Sequence, residues 1–305
     1  MNEYLRVTST EPDGANKEEI INQGPDHMAD RFMQKNMAPN GAAKVTLTAM
    51  VTALTFASGA ASAQSALSAD EVVKRELAAF YYAGKDMSAK VSMRLINAQG
   101  SVRERNMSML RLNSSDAGEQ NYLMTFSAPA DVRGMGFLIA KHPKADDDRW
   151  VYFPALKAVK RIAADDKKSS FVGSDFTYED VSGRDLNEEQ HVLLRSDEVA
   201  GRKVHVIESK PKSATDYAKR HIWVDHERWL PLKEEYFDNQ GKLLRTFTAE
   251  KVEQISGNWT ITTRSMKNAQ TGHRTEVTFA NVEYNIGLKD DLFSERTLKN
   301  PGNVK

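Results

Sequence analysis

The chain has no cysteine among its 305 residues. That excludes a disulfide framework, a thiol nucleophile and a lipid-modified cysteine behind an export signal. It also lacks an excess of either charge: 42 Lys and Arg face 42 Asp and Glu. Nucleic acid requires a concentrated basic face, which this balance does not supply, so no nucleic-acid partner is expected. Catalytic signatures are missing as well. There is no Walker loop, no G-x-G-x-x-G after a strand, no H-E-x-x-H and no G-x-S-x-G. Gly173-Ser174-Asp175 is too short to be a nucleophile elbow and reads as a turn. His221 and His226 are five apart across a strand end, poor geometry for one metal ion. Asp146-Asp147-Asp148 lacks the glycine and ordered spacing of a calcium loop and reads as a solvated turn. The expectation is a non-enzymatic protein with no cofactor and no metal.

Long apolar runs are scarce too. The nearest spans Lys44 to Ala63, KVTLTAMVTALTFASGAASA, where Thr46, Thr48, Thr52, Thr55 and Ser58 interrupt the apolar positions. A membrane span needs about 20 mostly apolar residues. The lone positive charge, the short apolar core and the closing Ala61-Ser62-Ala63 instead match a cleaved secretory signal. Residues 1–63 are therefore expected to be a leader, cut after Ala63, with an unusually long n-region. Met33 or Met37 would give an ordinary signal peptide, so a start at one of them, with residues 1–32 a mis-called extension, is the alternative expectation. Residues 64–305 then form one exported, periplasmic domain.

What the chain does contain is strand pattern. Ser68 and Glu71 open a helix over 68–83, with Val72, Val73, Glu76, Leu77 and Phe80 at helical spacing up to Gly84. Val91, Met93 and Leu95 then alternate with polar residues, Gln99-Gly100 makes a turn into 102–112, and Tyr122, Met124 and Phe126 alternate in their turn. Further strands are expected at 149–153, 157–162, 190–196, 202–209 and 218–225. From 232 on, segments 232–238, 242–254, 259–267 and 273–284 are split by short Gly- and Asn-containing turns, the pattern of an antiparallel meander. Leu288, Leu292 and Phe293 are expected to form a short helical turn over the sheet edge. No repeat of 20–50 residues indicates a solenoid or propeller.

The most informative stretch is Arg149–Asp180. Trp150, Val151, Tyr152 and Phe153 stop at Pro154. Lys157, Lys160 and Arg161 follow, and a polar loop then carries Phe171, Phe176 and Tyr178 around Gly173. Large aromatics in an easily solvated loop cover or line something apolar. Lys157, Lys160, Arg161, Lys167 and Lys168 form a basic cluster, either a solvated edge or a docking patch for lipid headgroups or an acidic partner. Trp-Val-Tyr-Phe-Pro-Ala-Leu, then Lys-Arg-Ile, then Phe-Val-Gly-Ser-Asp-Phe-Thr-Tyr-Glu-Asp resembles the signature of the outer-membrane lipoprotein-sorting, LolA-like family of periplasmic proteins. A weaker match lies at Trp259 and from Tyr284 to Phe293.

The resemblance implies a mainly β fold: a curled antiparallel sheet forming an unclosed half-barrel, with helices over its concave mouth. It implies a carrier of lipid or lipoprotein acyl chains, and as partner an inner-membrane exporter of the resistance-nodulation-division type. Two alternatives stay open: a lipid-responsive sensor on the same scaffold and, more weakly, a lipid hydrolase. The candidate lining is Met93, Met109, Met124, Phe126, Phe137, Trp150, Tyr152, Phe171, Phe176 and Trp223, where flexible thioethers adapt to varied ligands. The helix at 68–83 and the loop at 165–182 are the candidate lids. The reading requires the sheet to bend into a trough deeper than its own side chains can fill.

Overall fold

The computed structural model describes residues 67–114, 118–143 and 145–301. The expected leader, its signal and the Ala63 cut lie outside the described residues.

Among the described residues one helix precedes the strands, α1 (Ala69–Phe80). Ser68 caps it by accepting a hydrogen bond from the Glu71 amide at 3.2 Å. The Glu71 carboxylate does not complete a capping box; it takes the Nε–H of Arg75, one turn on, at 2.8 Å. The strands follow as β1 (Asp86–Ile96), β2 (Val102–Asn113), β3 (Gln120–Ala128), β4 (Gly136–Lys141), β5 (Asp148–Phe153) and β6 (Ala158–Ile162). An insertion containing α2 (Tyr178–Ser182) leads to β7 (Glu189–Val199), β8 (Arg202–Pro211), β9 (Lys219–Asp225) and β10 (Pro231–Phe237). The meander ends with β11 (Leu243–Ile255), β12 (Asn258–Asn268) and β13 (Arg274–Tyr284), followed by α3 (Glu295–Lys299).

All 13 strands form one sheet in the order β6-β5-β4-β3-β2-β1-β13-β12-β11-β10-β9-β8-β7, with every neighbour antiparallel. The sheet is not closed: β6 and β7 are its two free edges. They are consecutive in the chain, so the 163–188 insertion must run from one edge to the other. Tight turns keep the hairpins in register. Ala200-Gly201 and Ser256-Gly257 place both central residues at positive φ (49° and 76°, 49° and 81°), the two-residue geometry that matches strand twist. Register shifts at Ser88/Lys90, Asn106/Met107, Leu193/Arg195 and Ala249/Lys251 supply the extra bend.

Alternation divides the sheet into two faces. Val151 pairs with Phe137, Phe137 with Met124, Met124 with Met109 and Met109 with Ala89, and these residues share one buried cluster on the inner face. The same cluster takes in Tyr236 of β10 and Phe247 of β11, so the sheet curls around it. On the outer face, Leu110, Leu123 and Leu138 pack with the fully enclosed Leu298 of α3. That contact needs Gly136, because a Cβ there would stand 2.7 Å from Leu298 Cδ1. Leu288 and Phe293 join this outer cluster, so the C-terminal turn covers a sheet face and not the predicted edge.

Candidate functional site

The inner face of β1–β4 brings together seven of the ten predicted lining residues: Met93, Met109, Met124, Phe126, Phe137, Phe171 and Phe176. Phe126 and Phe137 meet edge-on at 6.0 Å, and Phe137 meets Phe171 at 5.2 Å. The other three lie elsewhere. Trp150 and Tyr152 pack on the outer face against Leu138 and Leu298, because Val151 is the inward residue of β5. Trp223 packs with Val204, Val206 and Leu232, opposite the face on which Ile222 and Val224 meet α1. Its indole N–H donates to Asp197 at 3.4 Å, and Lys233 lies 4.6 Å over the ring. All three sit on strand segments that are apolar at consecutive positions, so period two does not reveal which residue faces inward.

The trough is not left to the strands' own side chains. The insertion folds into the concavity and fills it. Ser170 and Thr177 form an antiparallel bridge that presents Phe171 and Phe176, which are 2% and 4% exposed. Thr177 and Asp180 cap α2 reciprocally, and Tyr178 and Val181 pack onto the same cluster. From α1, Phe80 reaches Phe247 at 6.0 Å. Among the described residues the inner face keeps a cavity of about 60 Å³ bounded by Trp259, Thr260 and Val282, and one of about 30 Å³ among Met93, Met107, Met109 and Met124. A drug-sized ligand needs roughly 300–1,000 Å³. This is a plugged trough, filled by two segments outside the sheet and not by the strands' own side chains.

Polar contacts hold the plug. Asp175 accepts from Thr275 Oγ1 at 2.8 Å and lies 2.5 Å from His273 Nδ1, while its own amide donates to Thr275 at 2.9 Å. Lys141 donates to the Gly183 carbonyl at 2.6 Å and pairs with Asp185 at 3.2 Å. Arg111 reaches the Tyr81 carbonyl at 2.6 Å and that of Ala83, tying the end of α1 to β2. Within the plug, Val172 sits at φ 53°, a left-handed conformation that strains a β-branched residue.

Sequence reasoning missed an ionic cage beneath α1 and α2. Arg184 pairs with Glu179 at 3.0 Å and Asp180 at 2.8 Å. Arg245 comes within 3.8 Å of Asp180 and pairs with Asp216. Arg220 holds Glu189 and Glu234, each at 2.7 Å. Burial pushes the Asp180 carboxyl up, but Arg184 and Arg245 outweigh it and hold the group well below the ordinary carboxylate range. Glu189 is likewise buried, yet Arg220 draws it down to about 2. Glu76, on the buried face of α1, behaves oppositely: burial first, then Glu234, pushes it up to about 8. The available signal was charge at inward strand positions, where Arg220, Glu234 and Arg245 alternate with residues of the opposite face.

The predicted basic cluster is divided. Lys160 and Arg161 stay exposed on the β6 edge, whereas Lys167 pairs with Glu188 at 2.7 Å and Glu179 at 3.4 Å. Asp147 pairs with Arg149 at 2.5 Å, and Asp148 pairs with Arg161 and lies 3.3 Å from His142. His221 meets Glu208 at 3.1 Å while His226 stacks on His205, so the two do not converge.

The fold is shared with solved structures. An outer membrane lipoprotein-sorting protein domain from Vibrio parahaemolyticus is 33% identical, with 76% of this chain and 98% of that one covered at a TM-score of 0.70. This chain belongs to the outer-membrane lipoprotein-sorting protein family. A DUF1329 family protein from Desulfovibrio piger is 28% identical over 74% of this chain and 95% of its own, with a TM-score of 0.69. A LolA superfamily protein from Nitrosomonas europaea shares the fold at 20% identity, a TM-score of 0.60, and coverage of 75% and 98%. A family model described only as an uncharacterized protein matches residues 118–300. No curated protein matches the chain.

Proposed function

We propose that this member of the family carries lipid or lipoprotein acyl chains in its inner trough towards the outer membrane, without catalysing a reaction. The observation that carries the reading is the methionine- and phenylalanine-lined concavity stoppered by a separate segment of the same chain. Loading exchanges plug for cargo. Exposing Phe171, Phe176, Tyr178 and Val181 costs on the order of 2 kcal/mol each, about 8 kcal/mol together. A sheltered 16-carbon chain returns on the order of 12 kcal/mol, before the costs of ordering it. Terms so close allow both uptake and release, which a carrier requires. The insertion is tethered at both sheet edges, so it can swing without leaving the molecule, and α1 moves with it to widen the mouth.

A periplasmic location, reached by export and cleavage after Ala63, is part of the proposal. So is an inner-membrane exporter of the resistance-nodulation-division type as the partner that hands over or receives cargo. Native mass spectrometry of protein taken from the periplasm tests the reading. Lipid should co-purify at up to one molecule per chain, and a fluorescent C16 fatty acid should bind saturably. Protein that carries no lipid and takes up none would defeat it.

A further inference from the structure

Arg264 stands on β12 opposite Val277 and so faces into the trough. Its surroundings are aromatic: the guanidinium lies 4.8 Å over Phe279, 5.4 Å over Phe80 and 5.5 Å over Phe176. Cation–π contacts of this kind offset only part of the cost of removing a charge from water. The Nε is enclosed and hydrogen-bonds nothing. Arg105, Arg111, Arg149 and Arg245 also have an enclosed, unbonded Nε, but each of them has a carboxylate or a carbonyl on its other nitrogens, and Arg184 has Glu179 3.0 Å from its Nε. Among the described residues, Arg264 has neither. Asp180 and Glu234 act on it only through space, and Arg184 and Arg220 already engage them at 2.8 and 2.7 Å. Burial accordingly pushes the Arg264 guanidinium below its ordinary pKa.

Its position is equally particular. Arg264, Met109, Val181 and Phe279 line both inner cavities. On one side is the methionine-lined chamber; on the other, the cavity bounded by the partly exposed Trp259 and Thr260. Once the plug withdraws, taking Phe176 and Val181 with it, the two cavities join with Arg264 at their junction. Arg111 also lines the first cavity but is taken up by the Tyr81 and Ala83 carbonyls, so the cation at the junction is Arg264, dividing the trough into a place for a tail and a place for a head.

We propose that Arg264 is the anion anchor of the trough. It pairs with the phosphate or carboxylate of an anionic lipid whose acyl chain lies among Met93, Met107, Met109 and Met124. The assignment rests on the carrier reading and narrows its cargo to lipids bearing negative charge near the chain. A charge-assisted pair of this kind is worth about 10- to 100-fold in affinity.

The test is a binding titration with matched probes: a C16 fatty acid against its methyl ester, and lysophosphatidic acid against monoacylglycerol. The wild-type protein should bind the acid of each pair at least about 10-fold more tightly than its neutral counterpart. Whichever pair shows the larger ratio identifies carboxylate or phosphate as the preferred head. Arg264→Met should remove the preference while leaving the neutral probes bound as before, and Arg264→Lys should keep part of it. Melting curves of both variants establish that they fold, and burial of methionine in place of an unpaired charge favours that. Equal affinity for acid and ester, or a preference that survives in Arg264→Met, would overturn the anchor and leave the carrier reading standing. Failure of every probe to bind would overturn both.

Discussion

Replacing Glu76 with glutamine removes the one buried carboxyl in the α1 contact that is pushed up instead of down. The side chain is 2% exposed and carries a pKa raised from the ordinary 4.5 to about 8. Burial is the largest cause and Glu234 the next; Glu189 adds to it, while Arg220 and Arg184 oppose it. The folded state therefore holds a proton that the unfolded state releases near pH 4.5. Between those two values the folded state binds more protons, so stability is greatest on the acid side and falls as pH rises, by up to about 1.4 kcal/mol per pH unit. Over the whole window the loss approaches 4–5 kcal/mol at most. Glutamine has no such dependence. For a domain of this size, 1 kcal/mol shifts the melting midpoint by roughly 2–4 °C. Glu76→Gln should thus melt within a few degrees of wild type at pH 5 and roughly 10 °C above it at pH 9. Circular dichroism melts across that range measure the gap. Parallel curves for the two proteins would refute the placement of Glu76 as a neutral buried acid.

Two further substitutions separate plug from scaffold. Phe176→Ala should destabilise the protein by about 3–5 kcal/mol through the cavity it leaves, yet tighten apparent lipid affinity about 10-fold or more because the plug is easier to displace; weaker binding would mean that Phe176 contacts the cargo itself. Trp150→Ala should lower the melting midpoint through lost outer-face packing and leave lipid affinity within about 2-fold, read by fluorescence titration. A large loss of affinity would contradict its outward placement.

Most of the fold was legible because the strands alternate cleanly. Met87, Val91, Met93 and Leu95 on one face and Ser88, Lys90, Ser92 and Arg94 on the other announce β1 without ambiguity. Ser68 marks the helix start, and the Gly-containing turns mark the meander. Legibility stops where both faces of a strand are covered. At Trp150–Phe153 the outer face is buried by Leu298 and Phe293 of the distant C-terminus, so aromatics occupy both parities and the inward residue proves to be Val151. Ile222, Trp223 and Val224 pose the same problem, with α1 on one side and Leu232 on the other. The ionic cage escaped for a different reason. Glu189, Arg220, Glu234 and Arg245 belong to four strands, and charge in a strand ordinarily reads as solvent-facing. Arg220 pairs with Glu189 and Glu234 across non-consecutive stretches of sequence, and Arg245 meets Asp180 only because the insertion brings it there. The aromatics of the 165–182 loop announced that it covers the trough, but not that it fills it, since a ring that lines a cavity and a ring that fills it are the same residue in a sequence.

The central claim is that the insertion must leave the concavity for cargo to enter. The absence of native cysteine makes this directly testable with the pair Asp175→Cys and Thr275→Cys, placed where the plug touches β13. Under oxidising conditions the crosslinked protein should take up no fluorescent C16 fatty acid, and dithiothreitol should restore uptake fully. Uptake by the oxidised, crosslinked protein equal to that of its reduced form would contradict the account.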